Sequence, residues 1–110
     1  MIEKTDILNF ISENKEFFQE KFCLTKIGIF GSYANGSNTE NSDIDLIVEF
    51  ENNTQDLFHK KQELRQIFHN KFNLEVDICT EKYIKPVFRN LILENVIYVK
   101  RRYSNIIGNY

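Results

Sequence analysis

The chain has 110 residues, enough for one small domain, read here as a single unit over 1–110. Hydrophobic residues make up 42% and charged residues 27%, a globular composition with room for one modest core. The net charge of −2 argues against tight sequence-independent nucleic-acid binding, which needs many Lys/Arg–phosphate contacts. No window approaches the ~20 apolar residues of a membrane span. The first residues, MIEKTDILNF, lack a signal peptide's charge and apolar core, and a cytoplasmic location is expected. Cys23 and Cys79 lie far apart, form no metal motif, and read as buried free thiols.

The first element is a helix over residues 5–22, capped by Thr5 or Asp6. Leu8, Ile11, Phe18 and Phe22 share one face, which Phe10 and Phe17 widen. A strand follows over 25–30. Residues 31–42 form a loop with a short helical turn, rich in Gly, Asn and Ser and longer than a plain hairpin needs. Tyr33 in that loop can stack on a base or pack inward.

A second strand, 44–49, puts Ile44, Leu46 and Val48 on one face, and Asp45, Ile47 and Glu49 on the other with Asp43. Two carboxylates on one face have no folding rationale, because each opposes the other's ionisation unless a cation lies between them. A divalent metal with oxygen ligands is the natural cation, and Mg²⁺ is held typically by one or two carboxylates plus substrate phosphates. Gly31-Ser32, directly after the first strand, supplies a sharp turn, exposed N–H groups and a hydroxyl suited to those phosphates.

A second long helix covers 54–68, with Leu57, Leu64, Ile67 and Phe68 buried and Phe58 and Lys61 at the margins. His59 and His69 are ten apart, not a helical zinc pair, and read as solvent-side. A third strand, 73–80, carries Asp77 between Val76 and Ile78, an acid whose burial needs a partner or a metal. Glu75 is its rival. A last helix over 83–95 has Pro86 in its first turn and Val87, Leu91 and Ile92 facing the core. Residues 96–99 form a short extended run, followed by the basic triplet Lys100, Arg101 and Arg102. The order predicts an α+β domain with a small mixed sheet. Its second and third strands are parallel through a crossover helix, and its first and second antiparallel.

The run GSYANGSNTENSDIDL, with Gly31, Ser32, Asp43 and Asp45 spaced G-S-x10-D-x-D, resembles the DNA polymerase β-like nucleotidyltransferases. Within them it looks like the minimal nucleotidyltransferases, the antitoxin halves of HEPN–MNT toxin–antitoxin pairs. One position departs: Asn35 stands where the family usually has Arg. The resemblance implies a polymerase β-like fold with helices flanking the sheet, and a third catalytic acid on the third strand, matched by Asp77. It implies a nucleotide site at Gly31, Ser32 and Ser42, and two Mg²⁺ ions held by Asp43, Asp45 and Asp77, about 3.5–4 Å apart.

The implied activity is transfer of AMP from ATP to a tyrosine of a HEPN ribonuclease toxin, in a hetero-oligomer with that toxin. The chain has almost nothing to spare for holding an acceptor of its own. Two alternatives stay open: a non-catalytic antitoxin acting by binding alone, favoured by Asn35, and a small-molecule nucleotidyltransferase subunit that needs a separate acceptor domain.

Overall fold

A computed structural model describes residues 1–99. The basic triplet at Lys100 to Arg102 and the segment after it lie outside the described residues. Its centre is a four-stranded sheet in the order β3-β2-β1-β4. Strand β1 is Leu24–Phe30, β2 Ile44–Phe50, β3 Val76–Thr80 and β4 Ile97–Tyr98. β2 pairs antiparallel with β1 and parallel with β3, as the element order predicted. β4 adds antiparallel to the other edge of β1. Gly28 makes that edge accessible: a β-carbon there would stand 2.8 Å from the Cα of Tyr98.

One sheet face carries the core. Ile27 and Ile29 of β1 join Ile44, Leu46 and Val48 of β2 beneath the helices. The single helix expected at 5–22 is two, α1 (Lys4–Glu13) and α2 (Lys15–Phe22). They part at Asn14, whose side chain donates to the carbonyl of Phe10 at 2.9 Å and closes the first helix early. α1 starts earlier than expected, with Asp6 accepting from the N–H of Glu3 at 2.7 Å. The break also re-aims the apolar stripe: Ile7 and Ile11 are buried, Leu8 only partly, and Phe17 remains 49% exposed.

The crossover helix α4 is Leu57–Phe72, later in starting and longer than predicted, and Leu64, Phe68 and Phe72 are buried. Phe10 meets Phe68 and Phe72 edge-on at 5.2 and 5.5 Å, and Phe18 stacks on Phe68 at 5.5 Å. This aromatic cluster joins α1, α2 and α4. His59 is solvent-side and bonded to Asp56, whereas His69 is half-buried against the carbonyl of Leu74. Both cysteines are free and half-buried rather than buried, with burial pushing the Cys79 thiol up.

The final helix departs most from expectation. A 3₁₀ turn at Glu81–Tyr83 precedes α5, Pro86–Leu93, with Pro86 in its first turn. The predicted core residues Val87 and Leu91 are 78% and 71% exposed, and Ile84 takes the inward position. The turn changes the angle at which the chain enters the helix, so the apolar stripe no longer meets the sheet. Polar links hold the segment instead: the N–H of Lys82 donates to Glu49 at 2.7 Å, Arg89 donates to the carbonyl of Glu81 at 3.2 Å, and Tyr98 bonds Glu81. On the other side of the domain, the buried Lys15 reaches the carbonyl of Val99 and fastens α2 to the end of the edge strand.

Candidate active site

The two antiparallel strands β1 and β2 put Phe30 opposite Asp45, and the parallel pair puts Asp45 directly beside Asp77. Adjacent strands lie about 4.8 Å apart, so the two carboxylates are cross-strand neighbours on the face opposite the core. Asp43 precedes β2 by one residue and is exposed. The sheet therefore gathers Asp43, Asp45 and Asp77 at one rim. Glu75 lies just outside β3, where its carbonyl accepts the N–H of Ile44 at 2.9 Å.

The burial of these acids differs from the sequence reading. Asp77 is exposed, because β3 is an edge strand whose non-core face is open. Asp45 is the partly buried one. Burial, then the charges of Asp77 and Asp43, push its carboxyl up to about 6. An acid held in this state attracts a cation.

The phosphate-binding candidates occupy the same rim. β1 ends at Phe30 and the chain turns at once into the short helix α3, Gly31–Asn35. Gly31 has φ +72, and a β-carbon on it would lie 3.1 Å from Cγ of Asp45 and closer still to its Oδ2. Glycine is thus required twice, by the left-handed backbone and by the contact with the acid. Ser32 follows, half-buried, and its carbonyl accepts from the N–H groups of Gly36 and Ser37 at 2.9 and 3.0 Å. Ser42 closes the far end of the loop: its hydroxyl accepts from the N–H of Thr39 at 2.8 Å. Tyr33 packs into the core at 1% exposure and does not offer its ring to a base.

Asn35 has a role that the sequence reading did not give it. Its Oδ1 accepts from the N–H and hydroxyl of Ser37 at 2.9 and 2.6 Å, bracing the turn at Gly36, which has φ +84. The Asn-Gly pair was the available signal, since this dipeptide marks tight turns.

Two carboxylates from adjacent strands and a third just ahead of β2 suit a hard divalent cation, and the raised Asp45 carboxyl is what such an ion would relieve. Among the described residues, no three ligating side chains already stand at metal-holding separations. The donor chemistry of these carboxylates fits a hard cation such as Mg²⁺.

The rim of acids, the glycine-serine turn and the mixed sheet are those of a nucleotidyltransferase, and residues 11–99 match the nucleotidyltransferase domain family. The chain belongs to that family, and its fold is the polymerase β-like one. It is 31% identical to the protein adenylyltransferase MntA of Thermococcus cleftensis, over 90% of this chain and 98% of that protein. It is 36% identical to a candidate protein adenylyltransferase of Methanocaldococcus jannaschii, over 86% of this chain and 96% of that protein. A solved structure of a candidate minimal nucleotidyltransferase superposes with a TM-score of 0.69 at 25% identity, covering 87% of this chain and 95% of that one. The fold is also shared with the MNT antitoxin structure solved with a tri-AMPylated Shewanella oneidensis HEPN toxin, at a TM-score of 0.58 and 17% identity, covering 92% and 78%.

Proposed function

We propose that this chain is an antitoxin that transfers AMP from ATP to a tyrosine hydroxyl of a HEPN ribonuclease toxin and so silences it. The observation that carries the reading is Asp45 seated against Gly31 on one side and beside Asp77 on the other. That arrangement joins a phosphate-binding turn to an acid pair at one rim. The relatives' naming as protein adenylyltransferases supports a protein acceptor. The AMP-bearing toxin that accompanies a protein of the same fold supports a HEPN partner. No helix among the described residues is long and apolar enough to cross a membrane, which is compatible with a cytoplasmic pair.

In this reading the backbone at Gly31 and the Ser32 hydroxyl grip the distal phosphates, with Ser42 holding the loop that frames them. Asp43, Asp45 and Asp77 would hold Mg²⁺, which would supply charge neutralisation of the triphosphate and a lowered pKa of the attacking hydroxyl. The tyrosine oxygen bonds to the α-phosphorus, the bond from that phosphorus to the β-bridging oxygen breaks, and pyrophosphate leaves. The hydroxyl proton passes to Asp77, whose exposure on the edge strand leaves it open to an incoming side chain. A tyrosine hydroxyl has a pKa near 10, so it needs this help at neutral pH. The protein's share is positioning and charge.

The second reading, inhibition by binding alone, is favoured by Asn35, which places no cation beside the phosphates. One experiment separates the two. The purified chain, MgATP and the product of the neighbouring gene are mixed, and that product is weighed by intact mass spectrometry. A gain of one or more AMP units, absent with Asp43→Ala and Asp45→Ala, supports the enzyme. A fixed mass, with toxicity still neutralised by those mutants, makes the protein a binding antitoxin.

A further inference from the structure

We infer that the outward stripe of α5 is where the acceptor protein docks, through an apolar helical surface bordered by carboxylates. The inference rests on the proposed transfer to a protein partner and assigns that partner a seat on this chain. Tyr83 stands in the 3₁₀ turn, parted from α5 by the extended Ile84 and Lys85, while Val87 and Leu91 lie four apart on one side of the helix. They are 63%, 78% and 71% exposed, and Phe88 beside them is 50% exposed. A solvated helix face in so small a domain is normally polar, and an exposed apolar run of this kind marks an interaction surface.

The stripe does not hold the helix in place. Ile84 turns inward, Arg89 bonds and pairs with Glu81, and Glu81 in turn takes Tyr98 and Lys26. The helix is thus secured by its other side, and the stripe is left for another molecule.

Charge decides what kind of molecule. Lys82, Lys85 and Arg89 give residues 82–93 three cations and no acid, in a chain whose net charge is −2. Arg89 is engaged with Glu81, while Lys82 and Lys85 are exposed and in no ion pair among the described residues. The Lys82 ammonium lies over the Tyr83 ring at 5.8 Å and Lys85 stands at the start of α5, so an exposed apolar stripe flanked by two ammonium groups complements an apolar surface flanked by carboxylates.

Position ties the surface to the chemistry. Lys82 is fastened to Glu49 and Glu81 to Lys26, and both sheet residues alternate onto the face that bears Asp45. After α5 the chain enters β4, where Ile97 pairs with Ile29, one residue from the Phe30–Asp45 pair. A protein seated on α5 therefore lies along the side of the sheet to which its tyrosine must be delivered.

The test compares the full-length wild-type chain with Val87→Glu/Leu91→Glu and with Lys82→Glu/Lys85→Glu. The probe is the purified product of the gene neighbouring this chain's own, and binding is measured by calorimetry at two salt concentrations. Both pairs of positions are exposed, so thermal melts and the MgATP-induced shift should match wild type. The apolar-stripe variant should bind the partner about a hundredfold more weakly, as loss of a central apolar anchor does. The lysine variant should also bind more weakly and lose most of the salt dependence. Wild-type affinity in both variants overturns the docking site and leaves the transferase reading standing. A wild-type chain that neither binds nor modifies the partner overturns both. A concentration-dependent dimer of the free chain in sedimentation, lost on Val87→Glu/Leu91→Glu, assigns the stripe to a second copy instead. Cross-links from Lys85 to residues 100–110 that persist unchanged in the complex assign it to the chain's own end, and either result overturns the inference.

Discussion

Asp45 lies against the backbone of Gly31 so closely that no β-carbon fits between them. The first half of the site, the turn after β1, is thereby locked to the second half, the acid at the start of β2. Gly31→Ala should break both functions of the residue at once. The left-handed backbone alone costs an alanine about 1–2 kcal/mol, and the new methyl group must also push Asp45 aside. We expect a lower melting temperature and a MgATP-induced thermal shift reduced to near nothing. A variant that keeps the full shift would show that the contact is incidental to nucleotide binding.

The Asp45 carboxyl gives the free protein a pH signature. Its folded pKa is raised to about 6 from the ordinary 3.8, first by burial and then by Asp77 and Asp43. The folded state thus holds a proton that the unfolded chain releases at lower pH. Stability from this group is present in full below about pH 4 and is lost as pH rises through 6. Allowing for solvent screening, the loss is on the order of 1–2 kcal/mol. Asp45→Asn should flatten the melting temperature between pH 4 and 6 and stabilise the metal-free protein at pH 7. It should also abolish the extra stability that MgATP confers by linkage. Strong destabilisation of the variant at pH 7 would make Asp45 a structural acid.

These residues also show what the sequence could and could not reveal. The first three strands, their pairing and the acid rim were legible because alternation fixes faces and a crossover helix fixes β2 and β3 as parallel, whereas the addition of β4 to the free edge of β1 was not. Which acid is buried was not legible. Asp77 reads as interior between Val76 and Ile78, yet an edge strand shields only one of its faces, and edge position is a tertiary fact. The stripe of α5 failed for a related reason. Val87 and Leu91 have core spacing, but three residues of 3₁₀ helix ahead of Pro86 set where that spacing points. The break at Asn14 depends on one side chain returning to the carbonyl of Phe10, a choice that periodicity does not register.

Tyr33 is the next case. It is 1% exposed, and its hydroxyl has no hydrogen-bond partner among the described residues. Burial, with a smaller contribution from Glu3, raises its pKa, so the neutral phenol is what the core contains. An unsatisfied buried hydroxyl costs about 1–3 kcal/mol, and its removal without change of shape is neutral or stabilising. Tyr33→Phe should therefore melt at or above the wild-type temperature and bind MgATP with the same affinity. A drop of several degrees would reveal a partner for the hydroxyl. A change in nucleotide affinity alone would reopen base stacking at this position.

Asn35 poses the sharpest choice between charge and geometry. Its carbonyl oxygen holds two groups of Ser37 and steadies the turn at Gly36. The family's usual arginine would give up that brace and place a cation at the exposed end of α3, the helix that begins at Gly31. The lost brace is exposed, and a neutral hydrogen bond there is worth about 1 kcal/mol or less. A charge-assisted contact to phosphate is worth roughly 1.5–3 kcal/mol. The larger effect should prevail, so Asn35→Arg should bind MgATP about tenfold to a hundredfold more tightly while melting slightly lower without nucleotide. Asn35→Ala isolates the brace: it should lower the melting temperature as much as the arginine does, with no gain in affinity. Calorimetric titration of all three proteins with MgATP separates the contributions. Equal affinity in wild type and Asn35→Arg would mean that the side chain points away from the phosphates, and that asparagine was retained for the turn alone.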